Sequence, residues 1–471
     1  MSCTGDNLST VPEGWTAVAL GDGLAADVQP GFACGVNNRD EIGTPHLRPM
    51  NVSTEGLIAY KEVKYVPTDR VDGDRKWLKS GDVLFNNTNS AELVGKTALY
   101  DDDEGVAFSN HMTRVRCTPA VLPKYCALAL HQKWREGYFL EHCNRHVSQA
   151  SIGQKVLKAT MIPLPPLAEQ ERIVAKVEVL LSRVRSVRQR LATVPDILKH
   201  FRQAVLAHAC SGKLTGDWRD DAEPDWATTT LNQVGDVKGG ITKNARRSSM
   251  PLQVPYLRVA NVYADALDLS EVMEIGVSSA ELERTRLNRG DLLFVEGNGS
   301  VDQIGRVAVW DGSIAECVHQ NHLIRFVAGD GVMPRFVLYA MMSPIGRERL
   351  MEKAISTAGL HSLSISKIAS VELDVPSVRE QQEIIDRVEA LFALAESIQQ
   401  RVQAATKQAE ALTQSILARA FRGELVPTEA DLARAEGRDY EPAEQLLARI
   451  RAGSVAPRKT AKRRKAHGAS K

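Results

Sequence analysis

Three short stretches carry residue types that could do chemistry, and each lacks something that chemistry needs. Gly95-Lys96-Thr97 ends like a phosphate-binding loop, in which backbone amides cradle the phosphates and the lysine reaches them. The glycine needed five positions earlier is Ser90, so the cradle is missing. Gly297-x-Gly299 lacks its third glycine, that position being Asp302, and no helix is expected to follow it. His142, Cys143 and His146 could ligate a metal, but two histidines four apart are more often surface or core residues, and no HExxH accompanies them. A GxSxG elbow is absent, as is an Asn-Pro-Pro-aromatic box for holding an adenine amino group. By elimination the chain reads as a scaffold or binding protein, with no catalytic residue, no metal and no cofactor of its own.

The elements that would position such residues follow from size and repetition. A chain of 471 residues exceeds one ordinary core, so two to four domains are expected. With 43% hydrophobic and 25% charged residues its composition is globular. No apolar run approaches the roughly 18 residues of a membrane span, and the opening MSCTGDNLST is too polar for a secretory signal, which predicts a cytoplasmic protein. Seven cysteines (3, 34, 117, 126, 143, 210 and 317) are scattered and never form CxxC, as expected of reduced, buried thiols. The balance of 59 basic and 58 acidic residues hides one asymmetry. Arg458, Lys459, Lys462, Arg463, Arg464, Lys465 and Lys471 crowd the last fourteen positions, and without them the count is 52 against 58. A mildly acidic body does not bind nucleic acid by bulk charge, so such binding must be local, borrowed from a partner, or helped by the tail. That tail is equally readable as a disordered solubilising end.

The chain is a tandem duplication. Gly14-Trp15 and Asp225-Trp226 each precede a short strand reaching Leu20 and Leu231. Leu47-Arg48-x-x-Asn51-Val52 returns as Leu257-Arg258-x-x-Asn261-Val262, and Gly81-Asp82-Val83-Leu84-Phe85 as Gly290-Asp291-Leu292-Leu293-Phe294. Gly95-Lys96-x-Ala98 is answered by Gly305-Arg306-x-Ala308, and Asn110-His111-x-x-Arg114 by Asn321-His322-x-x-Arg325. The offset stays between 209 and 211, which chance does not produce. Short runs such as 82–85 and 306–310, broken by Gly, Asn and Asp turns, predict a mixed domain with a twisted sheet; helices are expected near 124–134 and 335–342.

Each repeat ends in a helical stretch. Ile173, Val177, Leu180, Val184, Val187, Leu191, Val194, Leu198, Phe201 and Val205 follow alternating steps of four and three, and Ile384, Val388, Leu391, Ala395, Ile398, Val402, Ala405, Ala409, Leu412 and Ile416 keep them in the second copy. This is the mark of a coiled-coil seam, and about 40 residues make a rod of roughly 60 Å. The alternative is a stripe packed on its own globular domain. Pro165, Pro166 and Pro376 mark the starts, Gly212 and Gly423 the stops, and Pro195 should kink the first helix.

Two globular repeats alternating with two such helices, each entered through Pro-x-x-x-Glu-Gln and left through a Gly-Lys/Glu-Leu element, resemble the specificity subunit of type I restriction-modification systems. The carrying residues are Pro163 to Gln170, Ser211-Gly212-Lys213-Leu214-Thr215-x-x-Trp218-Arg219, Pro376 to Gln381, and Phe421 to Pro427. Pro376-Ser377-Val378-Arg379 departs from the double-proline form. The resemblance implies an α+β chain: target recognition domains at 10–160 and 222–372, spacer helices at 165–214 and 376–425 paired as an antiparallel coiled coil, and a C-terminal segment at 426–471. It implies that each domain reads half of a split DNA site while the helices fix the spacer. It also implies, as partners, two adenine-N6 methyltransferase subunits carrying S-adenosylmethionine, to which two motor-nuclease subunits using ATP and Mg can be added, with one copy of this chain per complex.

Two domains reading different half-sites should share scaffold and phosphate contacts and differ where bases are read. On that rule Arg48 with Arg258, Lys96 with Arg306, and Arg114 with Arg325 are structural or phosphate-positioning residues, while Asn110-His111 and Asn321-His322 are turn or core residues. Candidates for base readout are Asn86, Asn87 and Asn89 in the first half and Lys243, Asn244, Arg246, Arg247 and Asn298 in the second, since amides can pair with adenine and arginine with guanine. The competing expectation is a repeat-built adaptor that binds protein partners through its coiled coil.

Overall fold

The computed structural model describes residues 11–147, 149–220, 222–297, 303–354 and 362–454. Asn298 and the basic tail lie outside these. The chain closes as two compact units, one taking in residues to 189 and from 406 onward, the other 190–405.

Each unit is built on a four-stranded antiparallel sheet of the same order. In the first it runs Ala25–Pro30, Met112–Cys117, Asp82–Asn86, Thr97–Tyr100; in the second Gly235–Gly239, Leu323–Ala328, Leu292–Val295, Val307–Val309. The Gly-Asp-apolar run is the central strand of both, and its unbroken apolarity has a reason: both faces are covered. Val83 and Phe85 enter an apolar cluster with the helix Pro123–Arg135, while Leu84 enters a second cluster with Leu47 and Phe108. In the other unit Leu292 and Phe294 meet the helix Pro334–Met342, and Leu293 and Val295 face the opposite cluster. Gly81 (φ +90°) and Gly290 (φ +96°) take the left-handed turn into the strand, and Asp82 and Asp291 accept from the N–H groups of Lys79 and Asn288 at 2.9 and 2.8 Å. The Leu-Arg-x-x-Asn motif is another clamp. Asn51 accepts from Arg48 N–H and donates to the carbonyls of Ala59 and Lys61; Asn261 does the same with Arg258, Asp268 and Glu271.

The ends of each domain are tied together. Thr16–Ala19 pairs antiparallel with Met161–Leu164, and Ala227–Thr230 with Glu372–Val375, immediately before the long helices Leu167–Cys210 and Val378–Phe421. The Glu-Gln pair then fastens each helix. Gln170 accepts from Leu122 N–H (2.8 Å) and donates to the carbonyls of Ala120 and Pro165; Gln381 repeats this with Met333, Gly331 and Pro376. Glu169 accepts from the Trp15 indole at 3.0 Å and Glu380 from the Trp226 indole at 3.1 Å, which explains the repeated tryptophan. Where Pro376-Ser377 departs from the double proline, the Ser377 hydroxyl accepts from Glu380 N–H at 3.3 Å, an N-cap in place of a preset φ. Lys124–Glu178 (3.0 Å) and Arg335–Glu389 (3.1 Å) repeat a further pin.

Both expectations for the apolar stripe hold in part. At the helix starts it enters the domain's own core: Ile173 and Val177 cluster with Tyr125 and Leu130, Ile384 and Val388 with Phe336 and Tyr339. It also meets the other long helix. Val177 and Val184 share the first cluster with Ala409, Ile416 and Leu417, and Phe201, Val205 and Ala209 share the second with Ile384, Val388 and Leu391. In each unit the start of one helix lies with the end of the other, the arrangement of an antiparallel pair. Two seam residues are corrected: Val187 and Leu412 are each 50% exposed. A straight helix drifts about 20° per heptad against a strict seven-residue repeat, so the contact moves on, to Thr413 beyond Ala409 and to Arg188, which pairs with Glu55 at 2.7 Å. The first long helix runs unbroken through Pro195.

Gly212 (φ +72°) and Gly423 (φ +73°) end the helices, and the following segments return to the helix starts. Thr215 and Arg219 bond Glu380 in one unit; in the other the N–H of Glu429 bonds Glu169 at 2.8 Å. Beyond Gly423 the helices Glu429–Glu436 and Ala443–Ser454 close the first unit, with Ala443 and Leu447 in its core and Ala443 N–H on the Gly14 carbonyl. No helix of the described residues is long and apolar enough to cross a membrane.

Candidate nucleic-acid interface

Each globular half opens a cleft at the same place. The first, ≈ 700 Å³, is lined by Arg48, Pro49, Asn89, Ser109, Asn110 and His111 among others; the second, ≈ 570 Å³, by Val259, Glu296, Gly297, Gln320, His322 and Ser362. Pro49 and Val259, Ser109 and Gln320, and His111 and His322 are equivalent by the repeat. The walls come from the same elements: the turn after Leu-Arg, the end of the central strand, and the turn carrying Asn-His. In the first cleft burial pushes the imidazole of His46 down to about 4, with the Arg48 guanidinium adding to the shift, so that ring is neutral at physiological pH.

Of the predicted residues, Arg48, Asn89 and Lys96 line the first cleft, and no described one lines the second. Arg48 and Asn89 are half-buried there, and Asn89 also accepts from Ser90 N–H. Asn87 is half-buried and turns its amide to the Asn110 carbonyl and the Thr113 hydroxyl. In the second half Lys243 and Arg246 are exposed, and Asn244 caps the turn Ala245–Ser249 by accepting from Arg246 N–H. Arg247 pairs with Glu281 at 2.8 Å, which holds that carboxyl down at about 2. Arg258 reaches Glu271 at 3.3 Å, and Arg306 lies over the Tyr263 ring at 5.2 Å.

The fold uses four candidates internally: Arg114, Arg325 and Lys96 take the structural of their two expected roles and not the phosphate-positioning one, and Asn86 is corrected as a base reader. Arg114, 1% exposed, pairs with Asp27 at 2.8 Å and donates to the Trp77 carbonyl; Arg325, also buried, pairs with Asp291 at 3.5 Å. Lys96 is buried with its ammonium on the Val52 carbonyl, and burial lowers its pKa. Asn86 is fully buried and donates to the Pro49 carbonyl at 3.0 Å. Arg114, Arg325 and Asn86 line neither cleft, and Lys96 lines the first with its ammonium turned to the Val52 carbonyl.

Gln320 and Glu296 carry no signal of their own in the sequence, and His322 is expected there only as a turn or core residue. Asn110-His111 and Asn321-His322 do form turns, closed by Met112 N–H on the Ser109 carbonyl and Leu323 N–H on that of Gln320, but their histidines face the clefts. A signal was present: carrying the offset of 209 from the central strand one turn further pairs Asn87 with Glu296.

A family model described as "Type I restriction modification DNA specificity domain" matches residues 12–195 and again 223–407. The type I restriction enzyme EcoKI specificity subunit of Escherichia coli is 30% identical over 438 residues, covering 88% of this chain and 90% of that protein. The StySPI specificity subunit of Salmonella potsdam is 30% identical over 428 residues, with 89% and 91% covered. Among solved structures, a chain from a study of complex assembly and conformational transition of the type I R-M system aligns with a TM-score of 0.67 at 20% identity, over 88% of this chain and 99% of that one. The HsdS subunit from Thermoanaerobacter tengcongensis aligns at 0.55 and 21%, over 88% and 98%. At these identities the structures show a shared fold.

Proposed function

The chain belongs to the type I restriction-modification DNA specificity family, and from that premise we propose that each globular half reads one part of a bipartite DNA site at its cleft while the paired helices set the spacer. As a specificity subunit it confers DNA sequence specificity and is non-catalytic. Two methyltransferase subunits dock on the helices and bring S-adenosylmethionine for adenine N6 methylation. Motor-nuclease subunits with ATP and Mg complete a restriction complex around one copy of this chain in the cytoplasm. The observation that carries the reading is the equivalence of the clefts: one scaffold presents two openings at matching positions, walled by different side chains.

The test is a methylome of a methylation-free host expressing this chain with its methyltransferase, against the same host lacking this chain. A bipartite N6-methyladenine motif that depends on the chain is expected; no motif from co-purifying proteins would overturn the reading. Removing four residues at one register from both long helices should shorten the spacer and keep both half-sites, and altered half-sites would refute the spacer role.

The structural role of Arg114 has its own expected outcome. Arg114→Ala leaves the half-buried Asp27 without its cation and a cavity beside the buried Asp82, which keeps Arg116 at 2.7 Å, and should lower stability by about 3 kcal/mol in urea unfolding. The dependence of DNA affinity on salt should stay unchanged. A slope shallower by about 0.9 would instead identify a phosphate contact.

A further inference from the structure

The Asn-His pair is shared by both halves, and by the rule that shared residues form scaffold it would read nothing. The residue facing the histidine, however, is not shared. In the second half the N–H of Glu296 donates to the His322 carbonyl at 3.0 Å, and its carboxylate lies 2.7 Å from His322 Nδ1. In the first half Asn87 holds the same place, its N–H on the His111 carbonyl at 3.1 Å, but its amide is occupied by Asn110 and Thr113. The same histidine therefore stands in two environments, and only one of them supplies a carboxylate.

A carboxylate that accepts and does not donate fixes the tautomer of the neutral imidazole: Nδ1 carries the proton and Nε2 keeps its lone pair. The His322 side chain is 57% exposed on the wall of the second cleft, beside Gln320 and Ser362. An acceptor of fixed orientation has few partners on DNA. In the major groove the only base donors are the adenine N6 and cytosine N4 amino groups. Resting on the proposed reading of the clefts, we infer that His322 is a base-reading residue of the second half, accepting through Nε2 from one of these amino groups. Glu296 is its positioning residue and makes the two halves differ at a position where their sequences agree.

The experiment compares methylomes of the whole complex carrying the unaltered chain, His322→Ala, Glu296→Ala, Glu296→Gln and the double alanine variant. His322→Ala should cut base discrimination by about tenfold at one position of one half-site, leaving the other half and the spacer intact. The base that position prefers in the unaltered complex tells adenine from cytosine. Glu296→Ala should relax the same position and add nothing in the His322→Ala background, an effect on base identity that a merely structural residue would not have. Glu296→Gln keeps an oxygen for Nδ1–H and should keep the motif. An unchanged motif in His322→Ala overturns the inference but not the reading of the clefts, whereas the absence of any bipartite motif from the unaltered chain overturns that reading. If His322→Ala abolishes methylation, His322→Leu decides: a motif altered at the one position supports the assignment, and an unaltered motif or continued loss refutes it.

Discussion

Glu380→Ala is expected to lower the stability of the unit formed by residues 190–405 by about 3–5 kcal/mol. The Glu380 carboxylate is buried and gathers three donors: the Trp226 indole at 3.1 Å, the Thr215 hydroxyl at 2.8 Å and the Arg219 guanidinium. Arg219 is only 12% exposed, so truncating its partner leaves a cation desolvated without a counter-charge, and that exceeds the cost of losing an ordinary hydrogen bond. Glu380→Gln keeps an acceptor for the two neutral donors and should recover part of the loss. Urea unfolding followed by circular dichroism measures both. A loss below about 1 kcal/mol for the alanine variant would mean that the segment after Gly212 is held by other contacts. Glu169→Ala should act similarly on the other unit, where Glu169 joins Trp15 to the backbone of Glu429.

Mild acid should destabilise the fold through its buried histidines. Burial pushes the imidazoles of His46 and His319 down to about 4 and that of His131 to about 3. A histidine freed by unfolding takes a proton near 6.5, so below that pH the unfolded chain binds more protons than the folded one. The stabilising contribution is therefore complete above about pH 6.5 and is lost as pH falls toward 4, at about 1.4 kcal/mol per pH unit for each histidine. Urea midpoints at pH 7, 6 and 5 should fall, less between 7 and 6 than between 6 and 5. His319 is fully buried and its Nδ1 bonds the Leu323 carbonyl at 2.8 Å; His319→Asn keeps a donor there but cannot charge. That variant should flatten the decline by about one histidine's worth, and parallel profiles would show that His319 does not titrate in this range.

The duplication, the two long helices, their glycine stops and the Glu-Gln entries are all readable from the residues, because each is a local or periodic signal. Gly81, Gly290, Gly212 and Gly423 all adopt the positive φ that makes glycine a punctuation mark. The apolar central strands 82–86 and 292–295 stand where the repeat places them. What a charged or amide side chain does was not readable in the same way. Arg114 and Lys96 have the chemistry of phosphate ligands, yet their partners arrive from Asp27, 87 residues away, and from the Val52 carbonyl, 44 residues away. Glu169 meets a backbone N–H that lies 260 residues further along the chain. The fate of Val187 and Leu412 turns on how far a straight helix drifts from a seven-residue repeat against its neighbour. Glu296 and His322 are ordinary surface residues until two turns bring them to 2.7 Å. A side chain's type states which partner it needs, but desolvation and hydrogen bonding depend on which partner is folded beside it, and that proximity is a property of the packed chain.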